Sequence, residues 1–309
     1  MVNQARFLDA ERKLWESLGV TPTSRRIHLP RNDVEARIQE IGEGPPVLFV
    51  HGGTTSGMSW AMLVARLTGF RCILLDRPGT GASQPLAARI DVESLPTLGE
   101  TLIVDVLDAL ELDSAHLVAT SLGGYLALRS CASHPERVQR MLQFGWPMGA
   151  PNPKMPGFFR FSAAPGVSAV MGSVPPNERS VRTLFGLLGH GPSIADGRIT
   201  TFDLTAYLSL LRDTETMRNE MAAARAIMSW SGKLHPHLLP DDLLSSITTP
   251  TLFVWGENDP FGGDAVARRL VDRMPDAILE MLPGAGHAPW LDELDYCAGA
   301  VTRFLNVQP

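Results

Sequence analysis

Ala119-Thr120-Ser121-Leu122-Gly123-Gly124 follows an apolar run at residues 115–119 and leads into a helix-like stretch at 125–133. A serine between a β-branched run and a helix, with small residues two positions to either side, has the pattern of a nucleophile elbow. The chemistry accounts for the small neighbours. A hydroxyl projects clear of the backbone only on a sharp strand-to-helix turn, which strains the serine toward positive φ. Bulky side chains at 119 or 123 would collide with that turn. Ala119 stands where glycine is commoner, and its methyl is still small. The helix that follows aims free N–H groups and its positive end at any anion formed on the serine. The same six residues also read as an ordinary strand, turn and helix with a serine N-cap. The rest of the chain has to decide between the two.

Outward from this stretch, strands and helices alternate. Residues 47–50, 71–75, 115–119 and 138–144 read as strands, the first of them a continuous apolar run of the kind buried on both faces. Residues 58–67, 94–110 and 125–133 read as helices between them. Upstream, 26–29 and 35–41 alternate in polarity across Arg31-Asn32-Asp33, predicting an antiparallel hairpin at a sheet edge. Residues 7–18 read as an amphipathic helix with no chemistry of its own. Beyond Trp146 the pattern changes: residues 147–176 are crowded with Pro, Gly, Met and Phe, and 180–228 read as helices without strands. Strand and helix return with 251–255, 264–274, 277–282 and 291–305. One α/β sheet, mostly parallel with helices on both faces, is expected. Its core is expected over 26–146 and 246–309, with a helical insertion at 147–245 and an N-terminal extension at 1–25.

Composition bounds the partners. The 309 residues can bury a sizeable core, and 27 basic against 33 acidic residues give a net charge of −6. Without a basic run, nucleic acid and anionic membranes are not expected partners. Cys72, Cys131 and Cys297 are widely spaced, with no CxxC pair, which fits a reducing, cytoplasmic compartment. Residues 1–13 are charged throughout and no apolar run approaches ~18 residues, so neither a secretory signal nor a membrane span is expected. A homodimer is left open.

Four more constellations fall at the carboxyl ends of expected strands, where open α/β sheets build their sites. His51-Gly52-Gly53-Thr54 lets the backbone approach a ligand and aim an N–H inward. It lacks phosphate-loop spacing. Asp76 to Ser83, with one proline and two glycines, reads as structural, Asp76 tying the loop down. Gly256-Glu257-Asn258-Asp259-Pro260 supplies a carboxylate in a turn. Gly284-Ala285-Gly286-His287-Ala288-Pro289 puts a histidine on a glycine-flexed loop. His28, His116, His134 and His190 lack motif context and read as surface or capping residues. His235-Pro-His237 lacks a third ligand, so no metal and no cofactor are expected.

Serine, acid and histidine in this order, each ending its own strand, resemble the pattern of α/β-hydrolase superfamily members that carry a helical cap, and the likeness extends over about residues 26–306. The resemblance implies Ser121 as nucleophile, His287 as base and Asp259 as its orienting acid, with Glu257 and Asp264 as nearby rivals for the last role. It implies that the N–H groups of Gly53 and Leu122 hold an oxyanion. A serine rather than an aspartate at the elbow suits acyl chemistry, so cleavage of a carboxylic ester of a small molecule is the first expectation. Carbon-carbon hydrolysis of ring-cleavage diketones is the alternative. Such hydrolases commonly carry a glycine-proline run after His-Gly, from which Gly53-Thr54-Thr55-Ser56 departs. A small-molecule receptor with little turnover is a third reading. Trp60, Trp146, Met148, Phe158, Trp230 and Trp290 are the candidate pocket residues, although large apolar side chains also simply pack under such loops.

Overall fold

A computed structural model describes residues 2–150, 156–157, 175–227, 234 and 238–306. Eight strands form one sheet: β1 (Thr23–Leu29), β2 (Val34–Ile41), β3 (Pro46–Val50), β4 (Arg71–Leu75), β5 (Ala115–Thr120), β6 (Val138–Phe144), β7 (Thr251–Gly256) and β8 (Ala277–Leu282). Their spatial order is β1-β2-β4-β3-β5-β6-β7-β8. β1 and β2 pair antiparallel with Leu29 opposite Val34, as the hairpin reading required, and β2 joins β4 antiparallel. All remaining pairs are parallel.

The described helices of six residues or more are α1 (Gln4–Ser17), α2 (Ser94–Ala109), α3 (Ser121–Ser133), α4 (Glu178–Phe185), α5 (Thr201–Asp213), α6 (Thr216–Ile227), α7 (Asp241–Ser246), α8 (Asp264–Val271) and α9 (Leu294–Leu305). The helix expected at 58–67 is shorter, a 3₁₀ turn Gly57–Trp60 running into Ala61–Val64.

The strand period of two divides each buried strand between two cores. Leu48 and Val50 face the core shared with α2 and α3, and Val47 and Phe49 face the one shared with α1 and α9. Side chains such as Phe49, fully buried, each contribute about 2 to 3 kcal/mol. That is why the central strands read as unbroken apolar runs.

The described elements between β6 and α7 are helical and have a small core of their own: Val181, Phe185, Ile199, Leu204 and Leu211. Asn177 and Thr200 begin α4 and α5 with reciprocal side-chain to backbone caps.

The chain passes from β3 out to β4 and then returns across β3 to β5. The direction of winding therefore reverses between β3 and β5, which opens a crevice at their carboxyl ends.

Candidate active site

Ser121 stands in that crevice as the first residue of α3, with φ at +53°. This is the strained turn that the sequence required, and its two glycines are sterically enforced. A Cβ on Gly123 would lie 2.1 Å from the Val50 carbonyl oxygen, and one on Gly124 would lie 2.2 Å from Gln143 Oε1. Backbone bonds fix the turn further, since the Met148 N–H donates to the Ser121 carbonyl at 2.9 Å. Leu122, second in the helix, has an N–H with no intrahelical acceptor.

The 51–54 loop leaves β3 beside the serine. A Cβ on Gly52 would come within 2.9 Å of Ser121 Cβ, so only glycine allows this approach. His51 is fully buried; burial, and then the nearby Arg77 charge, hold its pKa well below the ordinary value. It is neutral, with Nδ1 donating to the Gly52 carbonyl and Nε2 accepting the Arg77 N–H. Arg77 in turn donates to the carbonyls of His51 and Gly52. Glu220 of α6 closes the network, accepting from Arg77 at 3.0 Å and from the Thr54 N–H at 3.1 Å. Thr54 has φ at +52°, so this bond sits on a second strained residue. Asp76 ties down its loop as expected, accepting from the N–H groups of Gly57 and Ala82.

Asp259 ends the turn after β7 and is buried. Its Oδ2 lies 2.9 Å from His287 Nδ1 and 2.9 Å from the Trp146 nitrogen, and its Oδ1 accepts the Phe261 N–H. Gly145, with φ at +59°, leaves the room: a Cβ there would lie 2.2 Å from the His287 carbonyl oxygen. Of the rivals, Glu257 is exposed and Asp264 pairs with Arg268 on the surface of α8.

Ser121 and His287 line one cavity of about 130 Å³, together with Gly52, Gly53 and Thr54. No hydrogen bond links Ser121 Oγ to His287 in this resting arrangement. Such bonds often tighten only when substrate arrives. The walls are largely apolar, with Leu14, Met58, Met62, Phe185, Leu188 and Trp290 among them. Tyr207 adds a phenol that burial pushes up to about 12, its oxygen 3.3 Å from Thr54 Oγ1. Asp203 is the one acidic side chain among the described lining residues, and burial raises its pKa. Lysine and arginine are missing from the described lining residues.

Of the pocket candidates read from sequence, Trp290 lines the cavity, while Trp60, Trp146 and Met148 do not. Trp60 stacks on Trp290 at 4.3 Å between ring centres, underneath the wall. Trp146 stacks on Phe261, so its contribution to the site is its backbone N–H on Asp259. The Met148 side chain belongs to the core. Phe158 and Trp230 lie outside the described residues, as do His235 and His237.

One further reading needs correction. His190 is buried and lines the cavity, and His116 is buried in β5; neither is a surface residue. Helix α1, read as having no chemistry of its own, contributes the apolar Leu14 to the wall. Nothing local to Leu14, His190 or Tyr207 announces these positions, because each reaches the cavity by the docking of its helix or turn.

A family model described as the alpha/beta hydrolase fold matches residues 45–294. A 2-hydroxy-6-oxononadienedioate/2-hydroxy-6-oxononatrienedioate hydrolase from Pseudomonas putida is 26% identical over 275 residues, covering 86% of this chain and 90% of its own. Among solved structures, a carboxylesterase from Bacillus subtilis superposes with a TM-score of 0.72 at 20% identity, covering 98% of each chain. Naproxen esterase from Bacillus subtilis superposes with a TM-score of 0.74 at 17% identity, covering 99% of each. With the sheet order, the serine turn and a family match over most of its length in agreement, the chain belongs to the α/β-hydrolase fold family.

Proposed function

We propose that this hydrolase cleaves a carboxylic ester of a small, largely apolar and uncharged molecule through an acyl-enzyme. The observation that carries the reading is the common cavity of Ser121 and His287, with the far nitrogen of the imidazole 2.9 Å from buried Asp259. His287 Nε2 takes the hydroxyl proton as Ser121 Oγ attacks the carbonyl carbon. The oxyanion forms toward the N–H groups of Gly53 and Leu122, each such donor worth about 3 kcal/mol of barrier. Collapse breaks the bond to the alkoxy oxygen, which leaves with the proton from His287. Water then attacks the acyl carbon, gives its proton to His287, and releases the acid as Ser121 recovers its hydrogen. Asp259 orients the imidazole and stabilises its charged form without accepting the proton.

Phe185, Leu188, His190, Asp203 and Tyr207 of the helical insertion supply part of the cavity wall in this reading. The wall chemistry favours an uncharged substrate. An anionic one would enter a largely apolar cavity whose described lining contains Asp203 and neither lysine nor arginine. The second reading, carbon-carbon hydrolysis, is favoured by the names of curated relatives, among them hydrolases of 2-hydroxy-6-oxononadienedioate and of 2-hydroxy-6-oxo-6-phenylhexa-2,4-dienoate. A panel of chromogenic esters of graded acyl length, run beside a 2-hydroxy-6-oxo-dienoate, separates the two. Ester turnover at least a hundredfold above dienoate turnover, lost in Ser121→Ala, is expected. The reverse preference would install the carbon-carbon reading. An inert, well-folded wild type that a fluorophosphonate fails to label would leave only binding.

A further inference from the structure

The loop carrying His287 is gripped at three consecutive backbone nitrogens. The Gly286 N–H donates to Asp292 Oδ2 at 2.8 Å, the His287 N–H to the Leu188 carbonyl at 2.9 Å, and the Ala288 N–H to His190 Nε2 at 3.2 Å. Two of the three acceptors belong to the π-type turn Gly186–His190, outside the sheet. The turn and the loop meet through paired glycines. Gly189 has φ at +95°, and a Cβ there would lie 2.7 Å from Gly286 Cα. One on Gly286 would lie 2.5 Å from the Leu188 carbonyl oxygen.

His190 is itself oriented. Its Nδ1 lies 2.8 Å from Asp292 Oδ2, and the Ser193 hydroxyl donates to Asp292 Oδ1. Since Nε2 accepts a backbone N–H, the ring is the neutral tautomer with its proton on Nδ1, donated to the carboxylate. This second histidine-aspartate pair meets the catalytic loop through the Ala288 N–H, the residue next to His287. An interrupted π-turn is also a costly local structure that tends to persist where it serves a site.

We infer that His190, held by Asp292, is a positioning residue that sets the height and angle of the His287 imidazole over Ser121, so that the helical insertion completes the catalytic geometry. The inference rests on the serine-hydrolase reading. Asparagine at 190 keeps a donor for Asp292 but loses the acceptor for Ala288, whereas glutamine can keep that acceptor. The test measures kcat, KM and the rate of fluorophosphonate labelling of Ser121 for wild type, His190→Ala, His190→Asn and His190→Gln, with thermal melts beside them.

Alanine and asparagine are expected to lower kcat and labelling 10- to 100-fold with KM within threefold, and glutamine to recover at least a third of wild-type kcat. Folded His190→Ala with unchanged kcat and labelling overturns the inference. So does an equal loss in all three variants, or an effect confined to KM. Ser193→Ala covers the case in which neither truncation folds: it loosens only Asp292 and is expected to slow labelling about threefold, and an unchanged rate overturns the brace. A wild type that is neither labelled nor active would instead refute the hydrolase mechanism, so the two failures are distinct.

Discussion

Gly52 lets the 51–54 loop pack directly against the Ser121 side chain. Its missing Cβ would fall 2.9 Å from Ser121 Cβ and 3.5 Å from Ser121 Oγ. Gly52→Ala therefore pushes the 51–54 loop away from the serine, and with it the Gly53 N–H proposed to hold the oxyanion. Displacement by an ångström is enough to cost roughly 100-fold in rate. We expect kcat to fall by about that factor while circular dichroism and the melting midpoint stay near wild type; a full-rate Gly52→Ala enzyme would remove Gly53 from the oxyanion site. The residues of this kind were legible in the sequence because their meaning is local: a positive φ at Ser121 and close approach at Gly123 follow from the turn they themselves make. His190 was not legible. Its partner Asp292 is 102 positions away, and no neighbouring residue encodes that meeting.

At the scale of elements, the strands were readable almost to the residue. Arg71–Leu75, Val138–Phe144 and Ala277–Leu282 coincide with the expected runs; burial on the sheet demands apolar side chains in the first two, largely buried strands, while the half-exposed edge strand β8 is marked by the breakers that flank it. How the inserted helices dock was not readable, because an amphipathic face says that it is buried but not against what. Helix α6 is the case that matters. It carries Glu220 onto buried Arg77 and the Thr54 N–H, so one helix clamps the loop beside the serine. Glu220→Ala leaves the guanidinium, 3% exposed, without its counter-charge. We expect a loss of about 3 kcal/mol in urea unfolding, and a fall in kcat/KM of roughly tenfold through the freed loop. Glu220→Gln, which keeps one acceptor, should recover part of both. Equal stability and rate in Glu220→Ala would show the clamp to be idle.

Over the whole molecule, helix α1 joins the parts: Glu11 pairs with Arg37 of β2 while the Asn3 N–H donates to the Asp213 carbonyl of α5. Stability is likewise a property of the entire chain, and its pH dependence has a handle in the middle of the sheet. His116 in β5 is 7% exposed, its Nδ1 has no hydrogen-bond partner, and burial, aided by the charge of Arg140, depresses its pKa from 6.5 to about 4. The sign follows from proton counting. Above pH 6.5 the ring is neutral in both folded and unfolded chains and contributes nothing. As pH falls below 6.5 the unfolded chain binds a proton that the folded chain refuses, so stability drops by up to about 1.4 kcal/mol per pH unit, and the effect levels off below about 4. Other groups titrate in the same range, Glu11 among them with burial pushing its carboxyl up to about 7, which acts in the opposite direction. The informative quantity is therefore a difference. His116→Gln removes this one titration, so its unfolding free energy relative to wild type should rise steadily as urea melts are moved from pH 6.5 to 5. A difference that does not change with pH would mean that His116 accepts its proton inside the folded sheet as readily as outside it.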